Sequence, residues 1–380
     1  MAGLLIPVLV LAGVGLVAVA PPVPNSSRPR HWTYLTGAFL LNELPFVALF
    51  WLAVWTLDPL LGGELGGAWG VAAGAALALA ALEVLTIARR GFATRSALRA
   101  LLDASCGPAC RSGAARSRLG RRHPWPRILF APLPWRGRHI RRCANLAYGD
   151  AGRRHLLDVY HHRSRRGGPV LVYFHGGGFR SGHKHREALP LLHRLAQHGW
   201  VCLSANYRLS PEVGFPEHVI DAKRAVAWAR RNAAAYGGDP DRLYVAGSSA
   251  GGHLALLCAL APNHPTFDRD TGGTDTTVAG AISLYGYIGG LDGPAAASSG
   301  PQDHLHPGAP PVFVAHGDLD TLVAVHDARA FARELGAVSS NPVVYAELRG
   351  AHHGFDLFHS ARFEAVIDAV EDFVARTAAP

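Results

Sequence analysis

Lysine is almost missing from this 380-residue chain: Lys184 and Lys223 are its only two lysines among 37 basic residues. Arginine carries nearly all the positive charge, the mark of an arginine-favouring genome. The five cysteines, Cys106, Cys110, Cys143, Cys202 and Cys258, make no disulfide framework. Cys202 and Cys258 lie in apolar runs, as buried thiols do, which suits a reducing compartment. Cys106 and Cys110 are spaced so that they could pair or be acylated. The 21 histidines come without an HExxH helix or a CxxC pair. His161/His162 and His183/His185 stand beside arginine or lysine in loop-like stretches, so they read as solvated histidines rather than metal ligands. No metal and no cofactor is expected. A nucleic-acid partner is not expected either, because the positive charge comes with no RNA- or DNA-binding motif.

The charge is not spread evenly. Residues 89–142 hold 14 arginines and one acid, Asp103, a net of +13, whereas residues 1–88 carry a net of −2 against a total of +9. The first 88 residues are apolar, with three stretches, 2–20, 35–57 and 69–87, of about 20 residues each, the length a bilayer core requires. The second carries Glu43 and Pro45 and the third Glu83; acids in such segments are expected to face other helices. A cleaved signal peptide is the rival reading of the first stretch, through Ala18-Val19-Ala20. Against it, no basic residue precedes the apolar run and Pro21 would follow the cut.

Arg28 and Arg30 fall between the first two stretches, Asp58 and Glu64 between the second and third, and Arg89, Arg90, Arg95 and Arg99 after the third. Positive flanks stay cytoplasmic. The expectation is a multi-pass cell-membrane protein with its N-terminus outside and its C-terminal domain in the cytoplasm. Residues 89–142 then form a juxtamembrane linker. Its arginines would lie against anionic lipid, with Trp125, Ile128, Leu129, Phe130, Leu133 and Trp135 at the interface. The same linker is expected to serve as a lid.

The chemistry lies in residues 143–380. Leu243-Tyr244-Val245-Ala246 reads as a strand and runs into Gly247-Ser248-Ser249-Ala250-Gly251, the G-x-S-x-G pattern at a strand-to-helix turn. Glycines at 247 and 251 give a strained turn its room and leave the Ser249 hydroxyl at the tip. Upstream, Pro169 to Phe174 reads as a buried strand ending in His175-Gly176-Gly177-Gly178. Backbone N–H groups of Gly177, Gly178 and Ala250 are the natural donors to an oxyanion, where losing one donor costs about 3–4 kcal/mol. Downstream, a strand at 311–315 leads to His316-Gly317-Asp318-Leu319-Asp320, and one at 343–347 to His352-His353-Gly354-Phe355. A carboxylate and an imidazole on such loops can converge on the serine.

Taken together, His175-Gly-Gly-Gly178, Gly247-Ser-Ser-Ala-Gly-Gly252, Asn206-Tyr-Arg-Leu-Ser-Pro-Glu212 and Gly238-Asp-Pro-Asp-Arg242 resemble the hormone-sensitive-lipase-like carboxylesterases of the α/β-hydrolase superfamily. The resemblance runs from about Asn145 to the C-terminus. It implies an α/β-hydrolase fold, with Ser249 as nucleophile, His353 as base, Asp320 as acid, and Gly177, Gly178 and Ala250 as the oxyanion hole. Asp318 and His352 remain rivals for the acid and the base. The family usually has Asp before the nucleophile, where this chain has Ser248. His175 is expected to anchor the glycine loop, and Tyr207, Arg208 and Glu212 to brace it.

Strands are expected at 156–160, 169–174, 201–205, 243–247, 279–285, 311–315 and 343–347, alternating with helices in a mostly parallel sheet. The expected reaction is hydrolysis of a carboxylic ester through an acyl-serine. The partner is an ester substrate, with a lipid suggested only by the membrane anchor. An amidase, arylformamidase or peptidase on the same triad, or a non-catalytic membrane scaffold, are the alternatives.

Overall fold

The computed structural model describes residues 2–19, 38–62, 67–106, 117–120, 122–291 and 298–378. The loops bearing Arg28, Arg30 and Glu64, the Ala20-Pro21 cleavage point, Cys110 and the middle of the 288–310 connection lie outside the described residues.

The N-terminal part holds α1 (Ala2–Val19), α2 (Phe39–Glu43), α3 (Pro45–Leu61), α4 (Gly67–Ser105) and α5 (Trp125–Phe130). The second expected span is not one helix. Proline disfavours the helical backbone in the residue before it, and Leu44 sits at φ −123°, ψ 48°, between α2 and α3. At 17 residues, α3 reaches about 25 Å, short of a bilayer core of about 30 Å. Among the described residues, one helical stretch, Gly70–Ser105 of α4, is long and apolar enough to cross a membrane; Val8–Val19 and Pro45–Leu57 are shorter apolar helices. α1 lies along α4, burying Ala12, Ala18, Ala80 and Val84. Arg90 closes the contact by donating to the Val19 carbonyl at 3.0 Å.

The apolar stretch does not give way to a tether at residue 88. α4 runs on for 39 residues in all, and its second half buries Leu98 and Leu102 in the catalytic core. Some arginines of this region meet carboxylates, while others, Arg89 and Arg99 among them, stay exposed. Arg95 pairs with Asp368 at 2.7 Å and Arg118 with Glu371 at 3.3 Å, and Arg376 returns to Asp103 at 2.7 Å. Arg127 stands 3.7 Å from Glu364. Part of the expected lipid-facing belt is therefore an internal ion-pair seam against the acidic face of α10 (Ala361–Thr377), which completes the chain after α6 (Leu189–Gln197), α7 (Glu217–Asn232), α8 (Ala250–Leu260) and α9 (Val325–Val338).

Eight strands form one sheet: β1 (Ile140–Ala147), β2 (Leu156–His162), β3 (Gly168–Phe174), β4 (Val201–Ala205), β5 (Gly238–Ser248), β6 (Gly280–Leu284), β7 (Val312–Gly317) and β8 (Val343–Leu348). Their order is β1-β2-β4-β3-β5-β6-β7-β8, with β2 antiparallel to both neighbours and β3 through β8 parallel. All seven expected strands are present. β1 was not expected: it is an edge strand with a bulge, only Ile140 is fully buried, and its arginines hide the pattern. It begins at residue 140, so the boundary drawn at 142/143 falls inside a strand. His161 is likewise buried in β2 rather than solvated.

Helices cover both faces. Val170, Val172 and Phe174 of β3 point into one core and Leu171 and Tyr173 into the other, the two-residue alternation of a strand buried on both sides. This sheet, with its helices on both faces, has the order and direction of an α/β hydrolase, as expected. The carboxyl ends of β3, β5, β7 and β8 share one edge, where ligands of such sheets bind.

Candidate active site

β5 ends at Ser248, α8 begins at Ala250, and Ser249 between them has φ 55°, ψ −120°. A positive φ at a residue with a side chain is strained, and the surroundings enforce it. Ser249 donates its N–H to the Leu284 carbonyl at 2.9 Å and accepts from Tyr287 N at 3.1 Å. The two glycines are required by close approach: a Cβ on Gly247 would stand 2.0 Å from the Gly251 oxygen, and one on Gly251 2.0 Å from the Phe174 oxygen.

The glycine loop follows β3. Gly177 has φ 113° and Gly178 φ 60°, which glycine adopts freely. His175 is buried beneath the loop, stacked on Tyr207 with ring centroids 4.5 Å apart, and its Nδ1 lies 2.7 Å from the Gly176 oxygen. Burial pushes the His175 imidazole down to about 4, so it is a neutral anchor. Tyr207 donates to the His175 carbonyl at 2.8 Å, and Arg208 is held by Asp221 and Glu217. Glu212, expected to brace the loop, is exposed instead.

The loops after β7 and β8 bring Asp320 and His353 together, with His353 Nδ1 2.8 Å from Asp320 Oδ2. Asp320 Oδ1 accepts the N–H groups of Leu322 and Val323 at 2.8 and 2.9 Å, and His316 Nε2 lies 3.3 Å from Oδ2. Burial alone would raise the Asp320 carboxyl; the facing His353 and the hydrogen bonds from His316 and His353 outweigh it and hold the acid well below its usual range. For His353, burial works downward, but the Asp320 charge and hydrogen bond, helped by Glu187 and Asp356, raise the imidazole above its ordinary value. The rivals are engaged elsewhere. Asp318 accepts Gly350 N at 2.6 Å, and His352 Nδ1 stands 3.1 Å from the Leu319 oxygen, with burial pushing its imidazole down to about 3.

Ser249, His353, Gly177, Gly178 and Ala250 all open on one cleft of about 750 Å³. The N–H groups of the first turn of α8 have no partner within the helix, so the Ala250 end is a donor surface. The rest of the wall is largely apolar: Phe39, Phe179, Tyr287, Leu291, Leu322 and Leu357. Residues 89–142, the expected lid, supply none of its described lining, and the N-terminal contribution is Phe39 of α2 instead.

The chain is similar to known proteins over most of its length. The chain is 34% identical to the "probable carboxylic ester hydrolase LipM" of Mycobacterium tuberculosis, over 93% of this chain and 88% of that one. It is 36% identical to the "esterase LipQ" of the same organism, over 68% of each chain. It belongs to the hormone-sensitive-lipase-like carboxylesterases. A family model described as BD-FAE matches residues 157–292 of this carboxylesterase. The solved structure of Thermogutta terrifontis esterase 2 in its apo form superposes with a TM-score of 0.53 at 25% identity, covering 60% of this chain and 90% of that one.

Two buried carboxyls of this carboxylesterase escaped the sequence reading. Asp356 follows the histidine loop and is fully buried behind the nucleophile turn. Ser248 donates to its Oδ2 at 2.5 Å, Tyr285 donates to its other oxygen, and Tyr173 donates to Ser248 at 2.7 Å. The family's usual Asp before the nucleophile is thus replaced by a hydroxyl that borrows a carboxylate from 108 residues downstream. Glu187, beside the cleft, accepts the Gly176 N–H and so fixes the glycine loop. Burial, then the nearby Asp356 charge, pushes the Glu187 carboxyl up to about 7. Only the oddity of Ser248 hinted at such a partner; nothing in the sequence marked Glu187.

Proposed function

We propose that this carboxylesterase cleaves its ester through an acyl-serine on Ser249. The observation that carries the reading is the 2.8 Å contact between Asp320 and His353, on the cleft that Ser249 and the glycine loop share. With Nδ1 committed to Asp320, Nε2 is the nitrogen that exchanges protons. Ser249 Oγ bonds to the acyl carbon while His353 takes its proton. The carbonyl oxygen gains charge facing the N–H groups of Gly177, Gly178 and Ala250. Collapse breaks the ester C–O bond, and the alcohol leaves with the proton from His353. Water repeats the cycle and releases the acid. Asp320, kept ionised, holds the imidazole in one tautomer and balances its charge.

Ser249→Ala is expected to lower kcat on a nitrophenyl ester by on the order of 10⁴-fold or more and to abolish labelling by a fluorophosphonate. Full labelling of that variant would overturn the assignment.

The same proposal holds the enzyme at a membrane through the apolar part of α4. Arg89 and Arg90 follow that part, and positive flanks favour the cytoplasmic side for them and for the catalytic domain.

A further inference from the structure

The N-terminal segment is built into the active site rather than hung from it. Phe39 lines the cleft, lies tilted against Phe358 with ring centroids 6.0 Å apart and approaches Gly354, the residue after His353. Two polar contacts lock it there. Asn42 Nδ2 donates to the Gly350 carbonyl at 2.8 Å, and the buried Glu43 pairs with the buried Arg362 at 2.7 Å. α2 passes directly into α3, which exposes Phe50, Trp51, Val54 and Trp55. A second apolar segment reaches the same loop: His359 N donates to the Pro132 carbonyl at 2.7 Å, and Phe130, Leu133 and Trp135 around it are exposed. Both segments that touch the histidine loop therefore carry exposed apolar and aromatic side chains, with Leu322 half exposed at the cleft wall.

Water does not favour such a surface, and a bilayer does. α4, with its apolar length followed by arginines, points to lipid as the occupant rather than to a second copy of the chain. We infer that the substrate is a membrane-lipid ester, whose apolar chain passes from the bilayer along Phe39 to reach Ser249. This rests on the acyl-serine reading above. Phe39 is then a specificity residue: its ring is the side of the channel along which a long chain runs, while a short acyl group needs less of it.

The test uses the full chain in phosphatidylcholine proteoliposomes. The readout is the ratio of kcat/KM for a bilayer-borne palmitoyl ester to that for a water-soluble acetyl ester. Fluorophosphonate labelling counts intact sites. Phe39→Ala should lower the ratio by about tenfold with labelling retained, and Phe39→Leu should keep most of it. Asn42→Ala, which loosens α2, should move the ratio in the same direction. An unchanged ratio in Phe39→Ala overturns the inference, including the case in which both esters slow equally. So does a ratio that is the same for the long ester offered in vesicles or dissolved by detergent, or a dimer that leaves the ratio blind to vesicles. If the wild type labels and cleaves the acetyl ester but never the palmitoyl one, the substrate class is wrong and the acyl-serine reading stands. If it neither labels nor cleaves, both fall together.

Discussion

Glu187 sits where one proton matters. Its carboxyl, pushed up to about 7, changes charge across the neutral range while bonded to the glycine loop and beside His353. The base must be neutral to accept the serine proton, so kcat/KM rises with pH through the His353 titration in the free enzyme. A negative Glu187 favours the imidazolium and moves that rise upward. Glu187→Gln removes the charge but keeps an acceptor for Gly176, so the acid limb of the kcat/KM profile is expected to move to lower pH. A limb that stays in place, or moves upward, would show that Glu187 does not act on His353. The charge of Asp356, bonded to Ser248 and Tyr285, also raises the same imidazole. Burial raises both carboxyls, and of the two it is Glu187 that lines the cleft. Serine, glycines, histidine and aspartate were legible because their spacing is local to a strand end. Asp356 and Glu187 were not, because their partners lie 108 and 11 residues away and their role is set by folding around the cleft.

Among the elements, α2 has five residues and could not hold a helical shape alone. It is held by tertiary contacts, above all the Glu43–Arg362 pair, which joins positions 319 residues apart. Removing one partner of a buried pair leaves the other charged and without its counterion, typically at 3–5 kcal/mol, a cost of about that size. Arg362→Ala is expected to lower the midpoint of thermal inactivation, followed by loss of fluorophosphonate labelling, and to expose α2 to proteolysis. A midpoint within about a degree of wild type would show that the pair contributes nothing. The two acids of the apolar region thus separate. Glu83 faces α1 at Gly15, as an acid in a helical bundle should, whereas Glu43 belongs to the catalytic domain. The catalytic strands could be read from their apolar runs, but the length of α4 could not. Past Arg89 its arginines suggested a linker, while the helical spacing of Leu98 and Leu102 carried the true pattern.

On the scale of the molecule, a segment of net +13 meets an acidic helix, and part of what looked like a lipid-binding belt, Arg95, Arg118 and Arg127, faces carboxylates of the protein itself. The membrane attachment proposed above then rests on apolar surface. The full-length chain is expected to stay in the membrane fraction through about 1 M salt, which screens charge within a few ångströms, and to leave with detergent. Release by salt alone would mean that arginines, not α4, hold it.

α4 has no proline, and its Gly91 is placed where the helix passes the start of α10, with the Ala361 methyl 3.8 Å from where a Cβ would stand. It therefore lacks the proline that most often kinks a helix. A strut of this kind sets one working height for the reacting centre. On the membrane placement proposed above, the enzyme meets its substrate by diffusion in two dimensions, and its rate is expected to follow the mole fraction of ester in the lipid, not the amount of ester per volume of solution.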